Sequence, residues 1–272
     1  MIDNLKKIVI WSPTGIDTSE LSFGLAREIS KRERALIAEL PCLGIPRLAF
    51  AAQAIERNKN IEEEIMELEQ KGTITLKHLY KKSDSLAVLP VDIYAFPDYP
   101  VTQKVKIQTL ISFPAHLLNK ARELGYSSVI YDCQGQITTP MTYFAVEVAD
   151  KVLIPVQAMA DISFALLNVK RLVQVFKFDL AKFTILASLK VIETIKEISV
   201  IRSDEGRIIG KLDVREENCQ EIIKALFEES CFEDMIVKKK RLRSSISSFL
   251  ARHKKKDQVR TKEASEKMTI NL

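Results

Sequence analysis

The sequence predicts an α/β fold: a mainly parallel, doubly wound sheet with helices on both faces, followed by a basic amphipathic helix. Three observations predict it. Short apolar runs without alternation, such as Lys7–Trp11 (KIVIW) and Lys151–Val156 (KVLIPV), suit strands buried on both faces. Segments with helical apolar spacing alternate with those runs over most of the chain, the pattern of a parallel sheet wrapped by helices. Near the end, Lys238–Lys256 holds nine Lys/Arg and no Asp/Glu, so the net charge of +5 is concentrated there and the remaining chain is mildly acidic.

The elements follow in order. After the first strand, Thr18–Lys31 carries Leu21, Leu25 and Ile29 at helical spacing, with Ser22 and Glu28 assigned to the other side. Arg34–Leu40 reads as a second strand, completing a βαβ opening. Ile61, Ile65 and Leu68 mark a helix whose Glu62–Glu64 run is expected to face away from the core. Ser85–Tyr94 is a strand before a loop with Pro97 and Pro100. Leu110–Leu124 is a helix stopped by Gly125, and Ser127–Tyr131 is a strand closed by Asp132. Met141–Val148 and Ile162–Val175 are helices on either side of the Lys151–Val156 strand. Phe183–Ile192 and Arg207–Leu212 are weaker strands, Gly206–Gly210 a hairpin tip, and Glu216–Phe227 a helix. The expected organisation is an α/β domain over 1–235, the basic helix over 236–256 and a polar tail over 257–272.

Composition narrows the function classes. Hydrophobic content of 46% with 28% charged residues is ordinary for a soluble globular chain. No apolar stretch is long enough to span a bilayer, and the N-terminus lacks a signal-peptide core, so a cytoplasmic location is expected. Cys42, Cys133, Cys219 and Cys231 form no CxxC pair, and His78, His116 and His253 sit in no motif. No Ser-His-Asp arrangement, paired catalytic carboxylates or GxGxxG loop is recognisable.

The loop after the first strand is Ser12-Pro13-Thr14-Gly15-Ile16-Asp17-Thr18-Ser19. It stands where a phosphate-binding loop would stand. Such a loop needs outward backbone amides, a lysine for the phosphates and a Ser/Thr for magnesium. Thr18 supplies the hydroxyl, but no lysine is present, and Asp17 puts a carboxylate next to the phosphate position. Two like unit charges about 4 Å apart repel by roughly 4 kcal/mol at an effective dielectric of about 20. Either Asp17 or Thr18 serves equally well as a plain helix cap.

The stretch VIWSPTGIDTSELSFGLAREISKRERALIAEL resembles the opening of ParA/MinD-type P-loop ATPases, which implies a sheet of the P-loop NTPase type. Members carry two loop lysines. In this sequence Thr14 stands at the signature-lysine position and Asp17 at the P-loop lysine, in a loop about two residues short of the family pattern. Glu39 and Pro41 stand at the family's D-x-D, so the first carboxylate is kept and the second is not. Tyr131-Asp132-Cys133-Gln134-Gly135 resembles the strand-terminal D-x-P-x-G with its proline replaced, and Ala145–Ile162 resembles a further family segment. The WSP start and the altered loop are similar to the TadZ/CpaE branch, which helps to localise pilus or secretion machinery. The resemblance implies ATP and magnesium as the cofactors to test, with Gly15, Thr18, Ser19, Asp132 and Gly135 as cofactor-binding residues and Thr18 and Asp132 as the metal ligands if Mg-nucleotide binds. It also implies a homodimer.

Leu242, Ile246, Phe249 and Leu250 fall on one helix face, bordered by Lys240, Arg243 and other cations. That is the pattern of a helix lying on an anionic membrane, here the cytoplasmic face of the inner membrane. The same pattern also suits packing on a protein, phosphate contacts to nucleic acid, or a solvated tail. Together these readings predict a non-hydrolysing or weakly active positioning scaffold for a membrane-associated machine of pilus, secretion or conjugation type. The alternative is a divergent partition ATPase that segregates plasmids or chromosomes and binds DNA.

Overall fold

The computed structural model describes residues 5–41, 46–94, 101–195 and 200–227. The chain divides into two compact units, Met1–Ile223 and Lys224–Leu272. The expected helix over 236–256, with Lys240, Leu242, Arg243, Ile246, Phe249 and Leu250, and the tail over 257–272 lie outside the described residues.

The described residues open with β1 (Lys6–Ser12), α1 (Ser19–Ser30), β2 (Ala35–Glu39), α2 (Arg47–Ala51) and α3 (Ile61–Lys71). Next come β3 (Tyr80–Lys81), β4 (Leu86–Leu89), α4 (Val101–Lys104), α5 (Ile107–Glu123) and β5 (Ser128–Gln134). Then follow α6 (Pro140–Val148), β6 (Lys151–Val156), α7 (Met159–Gln174), β7 (Phe183–Ala187) and α8 (Leu189–Ile195). The series ends with β8 (Val200–Arg202), β9 (Ile208–Lys211), β10 (Asp213–Glu216) and α9 (Cys219–Phe227).

Eight strands form one sheet in the order β10-β7-β6-β1-β5-β2-β4-β3, and only β3 runs antiparallel to its neighbour. β8 and β9 form a separate antiparallel hairpin around Gly206, whose φ of +79° only glycine adopts freely. β1 sits between β5 and β6, and the chain lays later strands to either side of it. That makes the C-terminal end of β1 the switch point at which such sheets open a crevice.

Side-chain alternation sorts the central strands between two layers. Val9, Trp11, Val129 and Tyr131 join the core that includes Phe113 and Leu117 of α5 and Met141 and Ala145 of α6. The Tyr131 hydroxyl donates to the carbonyl of Pro114 at 2.6 Å, which fixes that side of β5. Asp132, the next residue, must therefore point to the opposite face, where α1 packs.

Several boundaries differ from the sequence reading. The strand expected over Phe183–Ile192 ends at Ala187, and α8 takes the rest. The strand expected over Ser85–Tyr94 is confined to Leu86–Leu89. Two residues expected on solvent faces are buried, Ser22 and Glu64. Each has polar partners inside: a carboxylate for Ser22 and two backbone amides for Glu64. The spacing of apolar residues does not mark them. α2, α4, β3 and β10 have five residues or fewer, too short to show a period.

Candidate functional site

The loop between β1 and α1 is organised by Ser12. Its hydroxyl accepts the Ile16 amide at 2.7 Å, and its carbonyl accepts the amides of Gly15 at 3.2 Å and Gly135 at 3.1 Å. Gly15 sits at φ +78°, where a side chain would be strained, with open space around it. The Gly15 and Ile16 amides thus turn back into the loop. Thr14 is exposed, its hydroxyl 3.5 Å from that of Ser12.

Asp17 resolves the choice of cap. Its Oδ1 accepts the Ser19 amide at 3.0 Å, and its Oδ2 lies 3.7 Å from Nε of Arg47, the first residue of α2. The positive end of α1 is thereby met by the chain's own carboxylate. Thr18 makes no capping bond and points inward instead.

Asp132, at 0% exposure, is the centre of the site. Its Oδ1 accepts from the hydroxyls of Thr18 and of Ser22 (3.0 Å), and its Oδ2 accepts from Ser19 at 3.0 Å. Thr18, Ser19 and Ser22 reach it together because they share one face over the first turn of α1. Burial pushes the Asp132 carboxyl up to about 6; the three hydroxyls oppose that rise and the charge of Asp17 adds to it.

Glu39 is the register partner of Asp132 on the adjacent strand β2 and is 3% exposed. Its Oε1 accepts the amides of Arg47 at 2.9 Å and Leu48 at 3.3 Å, and its Oε2 accepts that of Val91 at 3.1 Å. Burial and then the charge of Asp132 raise its carboxyl to about 8, against the pull of the three amides. Two buried carboxylates therefore lie side by side at the strand ends, and neither has a lysine or arginine side chain hydrogen-bonded to it among the described residues.

Of the residues singled out from the sequence, Thr18, Ser19 and Asp132 converge directly. Gly135 joins them through Ser12 and through Trp11, whose indole N–H donates to the Gly135 carbonyl at 2.9 Å. Gly15 belongs to the same loop but turns its amide inward. Sequence reasoning missed Ser22, Arg47 and the Val91 amide. Ser22 was findable, because it stands four residues after Thr18 on the same helical face. The other two come from segments with no pattern of their own. Elsewhere, Glu64, Glu67 and His78 group closely, but both carboxylates accept backbone amides, and Glu67 also binds Lys71 and Thr75. Among the described residues no helix is long and apolar enough to cross a membrane.

No protein-family model and no curated protein matches the chain. Solved structures do. The ParA family ATPase from Chlorobium tepidum TLS superposes with a TM-score of 0.59 at 16% identity, over 82% of this chain and 90% of that one. A putative plasmid partition protein from Borrelia burgdorferi B31, solved bound to AMPPNP, gives 0.54 at 14% identity, over 80% and 88%. The MinC:MinD cell division protein complex of Aquifex aeolicus gives 0.53 at 16%, over 76% and 79%. At these identities the likeness concerns the backbone. Sheet order, the position of the β1–α1 loop and these superpositions agree that the chain has the α/β fold of the ParA and MinD ATPases.

Proposed function

We propose that the chain is a positioning factor that uses a ParA/MinD-type body as a docking platform without a nucleotide hydrolysis cycle. The observation that carries this reading is Asp17, which binds the Ser19 amide and lies beside Arg47 at the N-terminus of α1. A triphosphate does not fit the loop so arranged. It would meet a carboxylate, inward-turned amides and no loop lysine, while the oxygens of Asp132 already accept three hydroxyls. The similar solved structures include cell division and plasmid partition proteins, and this supports spatial positioning as the function class. The finer assignment is a scaffold, acting as a homodimer, for a membrane-associated pilus, secretion or conjugation machine. It rests on the resemblance to the TadZ/CpaE branch and on the basic apolar segment around Leu242–Leu250.

The test is calorimetry with ATP and magnesium on the wild type and on Asp17→Lys. The expected outcome is no saturable ATP binding at the β1–α1 loop, that is, none that Thr18→Val removes. Micromolar binding lost in Thr18→Val would overturn the reading, and ATP turnover stimulated by DNA would replace it with a partition ATPase.

A further inference from the structure

The edge of the sheet furthest from β10 carries a second candidate site. A cavity of about 470 Å³ lies between residues 56–59 and 76–81, beside the edge strand β3. Lys59, Lys77 and Lys81 line it together with one acidic residue, Glu56. Leu76 and Leu79, each 5% exposed, provide an apolar floor, and Tyr80 adds an aromatic ring.

The two walls are held in place before any ligand arrives. Glu64, at 0% exposure, accepts the amides of Leu76 at 3.0 Å and His78 at 2.9 Å, so the backbone is pinned on both sides of Lys77. This bracket accommodates Leu76 at φ +57°, a left-handed conformation unusual for a leucine. Across the cavity, His78 Nδ1 donates to the Asn58 carbonyl at 2.7 Å, and Lys59 Nζ donates to the Lys77 carbonyl at 3.0 Å. Lys59 retains further N–H donors after that bond. Lys77 is held only loosely by Glu67, at 3.9 Å. The Lys81 side chain has no partner among the described residues.

We infer that this cavity binds a small molecule carrying a chain of phosphates, with Lys59, Lys77 and Lys81 as its ligands. Its volume lies in the range of small-molecule sites. A lining with three lysines and one acidic residue suits a multivalent anion whose charge is spread over several oxygens. Walls fixed in advance lower the ordering cost of binding. The site is separate from the β1–α1 loop and does not depend on the proposed function.

The test is calorimetry of inorganic tripolyphosphate with the full-length chain in magnesium-free buffer. One saturable site is expected. Lys81→Glu and Lys77→Glu should each weaken it at least about tenfold, because an attraction becomes a repulsion. Lys81→Arg should retain it, and Thr18→Val, in the β1–α1 loop, should leave it unchanged. Both reversed lysines are exposed, and equal melting temperatures would show that the variants fold. ATP in place of tripolyphosphate separates the two sources of phosphate: tighter ATP binding, lost in Lys81→Glu, assigns the site to nucleotides, and equal affinity assigns it to the phosphate chain alone. Absence of saturable binding, or binding that survives both reversals, as attraction to the basic segment 238–256 would, overturns the inference.

Discussion

Glu39 and Asp132 are adjacent in register, and each is surrounded by hydrogen-bond donors that carry no full charge. Both carboxyls are raised, to about 8 and about 6, so folding favours their protonated forms. For a raised acid the native state binds more protons than the unfolded one, so stability falls as pH rises. The contribution of Glu39 is complete below its unfolded value of 4.5 and is lost as pH passes through about 8; that of Asp132 is lost by about 6. The melting temperature should therefore decline between pH 6 and 8. In Glu39→Gln the decline above about pH 7 should flatten, while the part below remains, where Asp132 and Glu62, raised by burial to about 7, titrate. An unchanged slope, measured by calorimetric melting, would place the proton elsewhere. Little of this pair was legible in the sequence. Glu39 was recognisable as a strand-end carboxylate, but its neighbour was set by β5 inserting between β1 and β2. That pairing is a long-range event that no local pattern encodes.

At the scale of elements, α1 is joined to the sheet by polar bonds at its start and by apolar packing further along. Ser19 and Ser22 are buried with Leu25, Ala26 and Ile29. Ser22→Ala should cost about 1 kcal/mol, the net value of one hydrogen bond, and Thr18→Val a comparable amount, since it also removes one hydroxyl donor to Asp132. Urea melts with unchanged m-values would read these losses as stability alone. Equal stability of the Ser22→Ala variant would mean that the other two hydroxyls satisfy the carboxylate. The elements that sequence reading placed well, such as β6 and α1, have a clear apolar run or period. Those it missed are short and set by tertiary partners. α2 is an example, five residues long, with its first amides accepted by Glu39 rather than by a cap of its own.

For the whole molecule, the division of charge is the leading feature. The chain's positive excess is gathered in 238–256, beyond the described residues, while the body supplies the fold. If that segment is the membrane contact, liposomes containing anionic lipid should carry the full-length protein upward in flotation. Phe249→Glu with Leu250→Glu should abolish this, and high salt should weaken it. Flotation unaffected by the double variant would assign the apolar face to a protein partner.

Trp11 is the chain's single tryptophan, fully buried on β1 and bonded through its indole N–H to Gly135. Its position makes it a native optical gauge of the crevice. The same Gly135 also donates to Ser12, so any event that parts the β1–α1 loop from the end of β5 loosens the indole's contact as well. The protein's intrinsic emission thus reports the state of its own loop, with no label attached and no second tryptophan to confuse the signal.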